Sequence, residues 1–264
     1  MITSMENPQV KRLARLFAKE RERRKSGTFL VEGIRMFREV PRESLEGVYV
    51  SQHFLKEEGH KELLRGTRYE EVSDPVFSKI SGTMTPQGIL CEVKQKKWPW
   101  DDMFPPGRPA LVLVLEAIQD PGNLGTIVRA GEGAGITGIV ACPGTVSLYN
   151  PKTVRSTMGS IYRVPFLEAE SLPSAVRELQ ERGVALYAAD LEADLCYDGP
   201  DYTRPCGFLI GNEGNGLTKE AVALADGRIR IPMEGKVESL NAAIACALCM
   251  YEASRQRRKS KATP

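Results

Sequence analysis

The stretch ALVLVLEAIQDPGNLGTIVRAGEGAGITGIVA, residues 110–141, decides the fold. Ala110–Leu115 is apolar without alternation, which suits a strand buried on both faces of a parallel sheet. Asn123–Ala134 carries a helical pattern, and Gly138–Ala141 is a second short apolar run. Strand, helix, strand in this order is a parallel βαβ unit. Further apolar runs at Val184–Ala189, Gly207–Ile210 and Arg228–Ile231 alternate with helical patterns at Leu172–Arg182 and Thr218–Ala225. A final helix is expected from about Ser239 to Arg257. The alternation predicts an α/β fold with a doubly wound sheet.

Upstream, KQKKWPWDDMFPPGRP (residues 94–109) holds four of the 17 prolines and reads as a linker. The expected organisation is therefore a first domain over 1–93, a linker over 94–109 and a second domain over 110–264. In the first, short extended pieces at Phe29–Glu32, Val48–Val50, Tyr69–Val72 and Gly88–Val93 alternate with helical patterns at Ile34–Val40 and Pro75–Ile80. One helix is expected over Asn7–Arg24, with Val10, Leu13, Leu16 and Phe17 as its apolar stripe.

The 264 residues are 42% hydrophobic and 27% charged, which excludes a disordered chain. No apolar run approaches a membrane span, and the first residues lack a secretory signal pattern. Six cysteines in a chain this long do not read as a disulfide framework, so a cytoplasmic protein with reduced thiols is expected. Net charge is +2, but residues 1–100 carry 19 Lys and Arg against 14 Asp and Glu, whereas residues 101–264 carry 17 against 20. The basic excess gathers on the first helix. Lys11, Arg12, Arg15, Arg23 and Arg24 are its candidate RNA contacts, weighed against a merely solvated face.

Polar and glycine-rich residues cluster after three of the apolar runs, where open α/β sheets bind ligands. These loops are EAIQDPGNLGTIVRAGEGAG (116–135), IGNEGNGL (210–217) and IPMEGKVESLNAA (231–243). Each has a plain structural explanation. The spacing of Gly131, Gly133 and Gly135 is not a dinucleotide fingerprint and suits the end of a helix. Arg129 is placed to pair with Glu132, Asn123 and Ser239 to cap helices, and Glu213 to supply charge at a helix entry. Asn241 is a polar residue in the first turn of the last helix, facing the sheet end. Cys246 and Cys249 lie in an Ala-rich apolar helix and read as buried thiols; no metal-ligand cluster is visible. The Arg255–Lys261 run reads as a solvated helix end.

Taken together, the three loops resemble the three motifs of the SpoU, or TrmH-like, branch of the SPOUT RNA methyltransferases. The N-x5-R, G-N-E-G-x-G-L and I-P-M-x-G-x-x-x-S-L-N-A elements are intact, and the resemblance spans roughly residues 108–258. FLVEGIRMFREV (29–40) more loosely resembles the substrate-binding domain of some ribosomal RNA members. The resemblance implies a C-terminal parallel-sheet SPOUT domain with a deep trefoil knot. Before it would stand a smaller α/β RNA-binding domain resembling certain ribosomal proteins. It implies methyl transfer from S-adenosylmethionine to a ribose 2′-hydroxyl in RNA, foremost ribosomal RNA. It also implies a homodimer, with no membrane and no metal. Arg129, Asn123, Glu213, Ser239 and Asn241 are then the catalytic candidates. Leu209, Gly211, Ile231, Met233 and Leu240 are the candidates for the cofactor pocket, and Gly211→Val is expected to block it sterically. Alternatives are a transfer RNA 2′-O-methyltransferase, a non-catalytic RNA-binding protein keeping the fold, and a nicotinamide enzyme, against which the missing fingerprint counts.

Overall fold

The computed structural model describes residues 1–237 and 239–262, the last two without their side chains. Glu238, in the third motif, and the side chain of Lys261 lie outside the described residues. In chain order the helices are α1 (Pro8–Ala18), α2 (Glu20–Ser26), α3 (Ile34–Glu39), α4 (Gln52–Lys56), α5 (His60–Leu63), α6 (Asp74–Ile80), α7 (Pro121–Ala134), α8 (Pro151–Thr157), α9 (Leu172–Glu181), α10 (Lys219–Leu224) and α11 (Ala242–Ala262). The strands are β1 (Thr28–Glu32), β2 (Leu45–Ser51), β3 (Glu70–Val72), β4 (Ile89–Lys94), β5 (Leu111–Leu115), β6 (Gly138–Ala141), β7 (Phe166–Glu168), β8 (Ala185–Ala189), β9 (Cys206–Ile210) and β10 (Gly227–Ile229).

The chain divides into two units. One comprises residues 1–96 and 147–162, the other residues 97–146 and 163–264. The segment 147–162, inside the expected second domain, thus clusters with the first: α8 packs on β1, and the rings of Phe29 and Tyr149 lie 4.7 Å apart. Residues 97–109, expected as linker, cluster with the second unit, and Met103 is fully buried in its core.

The first unit is built on a mixed sheet of order β1-β4-β2-β3, antiparallel except for β2 with β3. Val10, Leu13 and Leu16 of α1 pack with Val76, Phe77 and Ile80 of α6 against Leu30, Tyr49 and Leu90. Asn7 caps α1 by accepting from the Gln9 amide at 2.8 Å, and Pro8 opens the helix. The single helix expected to Arg24 is instead two, broken at Lys19, whose backbone is extended. The cause is visible in ERERRKS, the α2 sequence, which offers no apolar residue to hold a continued helix on the core. Arg23 then turns inward and donates to the carbonyls of Leu16 at 2.8 Å and Phe17 at 3.0 Å, acceptors left open by the break.

The second unit is a parallel sheet of order β10-β8-β9-β5-β6-β7. Its central strands β5 and β9 are buried at every residue, as the continuous apolar runs predict. Leu172, Ala175, Val176 and Leu179 of α9, with Ala221 of α10, cover one face over Val112, Val114, Leu186 and Leu209. Helices α7 and α11 pack together on the other. From β5 the chain adds β6 and β7 on one side and later returns to place β9, β8 and β10 on the other. That reversal opens a crevice at the carboxyl ends of β5 and β9. The short edge strand β7 has no counterpart among the expected apolar runs, since a three-residue strand offers too little pattern.

Candidate active site

The three loops converge at this crevice. After β5, Asp120 caps α7 by accepting from the Asn123 amide at 2.8 Å, with Pro121 at the first helical position. The cap is therefore Asp120; Asn123 sits one turn in, which releases its side chain for the site. Asn123 donates from Nδ2 to Glu213 Oε1 at 3.0 Å and accepts at Oδ1 from Asn241 Nδ2, also at 3.0 Å. Glu213 further accepts from the backbone amides of Gln119 at 3.2 Å and Asp120 at 3.3 Å. Burial works to raise the Glu213 carboxyl, but the hydrogens donated to it outweigh that and hold the group below its ordinary value of 4.5. One hydrogen-bonded chain thus ties the first, second and third motif loops together.

Asn241 is also the cap of α11, its Oδ1 accepting from the amides of Ala243 at 2.9 Å and Ile244 at 3.3 Å. The expected cap, Ser239, lies before the helix, because α11 starts at Ala242. Ser239 instead lines the cleft. Two residues not singled out by the sequence hold the loops. Asn212 donates to the Ala117 carbonyl at 2.9 Å and accepts from the Gly214 amide at 2.8 Å. Glu116 accepts from the Thr218 amide and hydroxyl at 2.9 and 2.8 Å. Ala117 itself is held at φ 55°, a left-handed conformation costly for a residue with a Cβ. Carboxyl-end position on parallel strands is the signal that would have marked both partners.

A cleft of about 250 Å³ opens beside this network. Gly211, Glu213, Ile231, Met233, Ser239 and Leu240 are among its walls. Ile210, Asp190 and Arg230, unmarked in the sequence, also line it. Leu209, expected in the pocket, is fully buried in the sheet core among Val114 and Leu186; strand alternation gives the cleft its neighbour Ile210 instead. Gly211 is required by its own loop: a Cβ there would come within 2.1 Å of the Gly216 carbonyl carbon and 2.2 Å of the Leu217 amide. Gly211→Val would therefore break the loop crossing itself, so it is no clean test of a blocked pocket. An apolar slot walled by isoleucines, Met233, Leu240 and glycine backbone suits an adenosine group read by main-chain donors and acceptors.

Arg129 stands apart from the cleft. It lies six residues beyond Asn123 on α7, about 9 Å along the axis. It is exposed and, among the described residues, makes no hydrogen bond or ion pair. Its expected partner Glu132 binds Arg163 instead. Beside it, Gly133 faces Tyr251 of α11, and Gly135 closes α7 in the left-handed conformation. Cys246 and Cys249 are fully buried; burial pushes the Cys249 thiol up to about 12, which makes it inert. Among the described residues no group of His, Cys, Asp and Glu is arranged to hold a metal ion.

The model of the SpoU rRNA methylase family matches residues 110–251, over half of the chain. The chain belongs to that family. An MRM3-like substrate-binding domain model matches residues 7–91 of this SpoU methylase. Over 254 residues, 95% of this chain and 97% of the relative, it is 33% identical to the 23S rRNA (guanosine(2553)-2′-O)-methyltransferase RlmP of Bacillus subtilis. The SpoU methyltransferase AviRb of Streptomyces viridochromogenes, solved with AdoMet, superposes with a TM-score of 0.86 at 27% identity, covering 96% of this chain and 99% of that one. An AdoMet-bound rRNA methyltransferase of Sinorhizobium meliloti gives 0.84 at 31% identity, covering 96% and 97%. The expected class, S-adenosylmethionine-dependent RNA ribose 2′-O-methylation on an α/β fold, is the class of this chain.

Proposed function

We propose that this SpoU methylase methylates a ribose 2′-hydroxyl of 23S ribosomal RNA, with residues 1–96 and 147–162 engaging the RNA. The substrate follows from relatives named for that RNA that match nearly the whole chain, including the first unit. The observation that carries the catalytic reading is the Asn241–Asn123–Glu213 chain, which fixes the mouth of the cleft. When bound, S-adenosylmethionine supplies an electrophilic methyl group on a sulfonium. Gly211, Ile231, Met233 and Leu240 would hold it.

The protein must then align a ribose oxygen that is scarcely ionised at neutral pH and accommodate its developing charge. Glu213, kept ionised by its donors, orients Asn123 and the loop over 119–120; Asn241 holds Asn123 from the head of α11, and Ser239 offers its hydroxyl at the cleft wall. A guanidinium is a donor and no base, so the part of Arg129 is to grip the neighbouring phosphate and stabilise the alkoxide, with proton loss to phosphate or water.

Because Arg129 lies outside its own cleft, we assign it to the cleft of a second copy. Ile244, Leu248 and Tyr251 form an apolar stripe on α11, 50%, 36% and 46% exposed, on the helix that packs against the one bearing Arg129. A homodimer through this face would complete each site. The knotted passage of the third motif loop belongs to the same proposal, as does the cytoplasm, where six free thiols remain reduced. The test is a map of 2′-O-methyl groups in ribosomal RNA from cells with and without the protein. One nucleotide should lose its methyl group and regain it when purified enzyme and S-adenosylmethionine are added; an unchanged map rejects the reading.

A further inference from the structure

A second concave site lies at the opposite edge of the parallel sheet. It occupies about 300 Å³ at the amino ends of β5 and β9, beside the end of α7. Arg108, Arg257 and Arg258 line it, with hydroxyls of Thr203, Ser254 and Ser260. No carboxylate is among its lining residues. Strand β5 is five residues long, so about 15 Å of strand separates this site from the methyl-transfer cleft.

The three arginines play different parts. Arg257 is half-buried and clamped by carbonyls: it donates to Tyr202 at 2.8 Å, Pro109 at 3.0 Å, Ala110 at 2.8 Å and Arg204 at 2.9 Å. It pins α11 to the starts of β5 and β9 while keeping its charge unpaired with any acid. Burial foremost, with the charge of Arg108 adding to it, draws its guanidinium below the usual range. Arg108 is exposed and, among the described residues, has no hydrogen bond or ion pair. Arg258 is exposed and, among the described residues, donates only to the Ser254 hydroxyl, at 2.8 Å. One arginine at this place would complement the carboxyl end of α7. Three, set together with no carboxylate among the lining residues, leave positive charge that no ion pair among the described residues consumes.

We propose that this basic pocket binds a backbone phosphate of the substrate RNA, giving the catalytic unit a sequence-independent anchor on the face away from its chemistry. Guanidinium forks and the serine hydroxyls beside them are the donors that phosphate oxygens take, whereas the Thr203 hydroxyl is spent on Asp201 at 2.6 Å; Arg257 is already rigid. The inference rests on the ribosomal RNA reading above, since a large folded RNA can contact both ends of the parallel strands at once. It also gives the basic end of α11 a task other than solvation.

The test uses the full chain and a plain RNA duplex about three helical turns long, titrated between about 50 and 200 mM salt. The double variant Arg108→Ala/Arg258→Ala removes the two exposed cations and leaves the clamped Arg257 in place. It should bind more weakly and flatten the slope of log K against log salt by up to about 0.9, the value for one lost phosphate contact. S-adenosylmethionine affinity, measured by calorimetry, should stay unchanged and shows that the variant is folded. A slope equal to wild type overturns the proposal. So does a changed subunit number in sedimentation, which would make the cluster a contact between copies of the chain. Failure of the ribosomal RNA reading is separate: it would show as wild-type enzyme that adds no methyl group to ribosomal RNA, whatever the slope.

Discussion

The arginines of α1 and α2 and the arginine of α7 look alike in sequence and are opposites in space. On the first pair of helices, Arg12 donates to Glu92 at 2.6 Å, Arg23 is 4% exposed and spent on carbonyls, and Arg24 pairs with Glu20 at 2.7 Å. Lys11 is paired too, with Glu6. Among the five expected RNA contacts only Arg15 is exposed with no partner among the described residues. On α7 the outcome is reversed. Arg129 had an ion pair ready in its own helix, yet Glu132 is taken by Arg163 and the guanidinium stands open. Counting cations in a sequence therefore overstates the charge available to a polyanion. Pairing decides which arginines build the fold and which are left to act.

The largest effect should come from the open one. Arg129→Ala removes no hydrogen bond or ion pair among the described residues, so stability should barely move, while single-turnover methyl transfer at saturating cofactor and RNA should fall by about two to three decades. Arg129→Lys keeps the charge but loses the planar fork, and should recover only a small part. Activity within threefold of wild type for the alanine variant would erase the contrast and return Arg129 to the solvated surface.

The paired arginine makes the opposite prediction. Glu92 is 4% exposed and accepts from Arg12 and from the Thr28 hydroxyl at 2.9 Å. Arg12→Ala leaves that carboxylate buried beside Thr28 alone. The expected cost is about 3 kcal/mol in urea unfolding, the low end for breaking a buried pair, because the guanidinium is itself partly exposed. A loss of RNA affinity without loss of stability would mean that Arg12 is a binding residue after all.

Glu213 tests the other side of the comparison, a carboxylate consumed by the donors of its own network. Its folded value is depressed, so the stability it contributes is present above the ordinary 4.5 and is lost as pH falls through the lower, folded value. Glu213→Gln should cost about 1 kcal/mol at neutral pH, since a charge-assisted acceptor becomes a neutral one. It should also flatten the acid-side fall in stability below pH 4.5. Equal acid profiles for variant and wild type would show that the network does not hold the carboxylate ionised.

What could be read in advance divides along the same line. Runs such as Leu111–Leu115 and Cys206–Ile210 were legible because burial on both faces leaves only apolar residues. The motif loops were legible because glycine, asparagine and carboxylates cluster at strand ends. Pairings across long separations were not: nothing near Glu92 in sequence marks Arg12, and nothing near Asn123 marks Asn241 or Glu213 as its partners. Segment 147–162 clusters with the first unit through contacts such as Phe29 with Tyr149, 120 residues apart in the chain, and local periodicity carries no record of that. Single-residue register was lost as well: Leu209 and Ile210 have the same composition signal, and only the pleat sends one to the core and the other to the cleft.

The smallest effect belongs to Arg15, and it is the sharpest test of pairing as the deciding variable. Arg15 sits on α1 one turn from Arg12, is exposed, and has no acidic partner among the described residues. Arg15→Ala should leave the urea midpoint where it is, because surface substitutions away from buried features stay within about 0.5 kcal/mol. What should change is the salt dependence of RNA binding, with the slope of log K against log salt flattened by ~0.9 for one phosphate contact on a duplex. Arg12→Ala, three residues away, should show the mirror image once its folded fraction is taken into account: lower stability and an unchanged slope. If Arg15→Ala leaves the slope untouched, α1 is a solvated face despite its free cation, and RNA contact in the first unit must be sought on other elements.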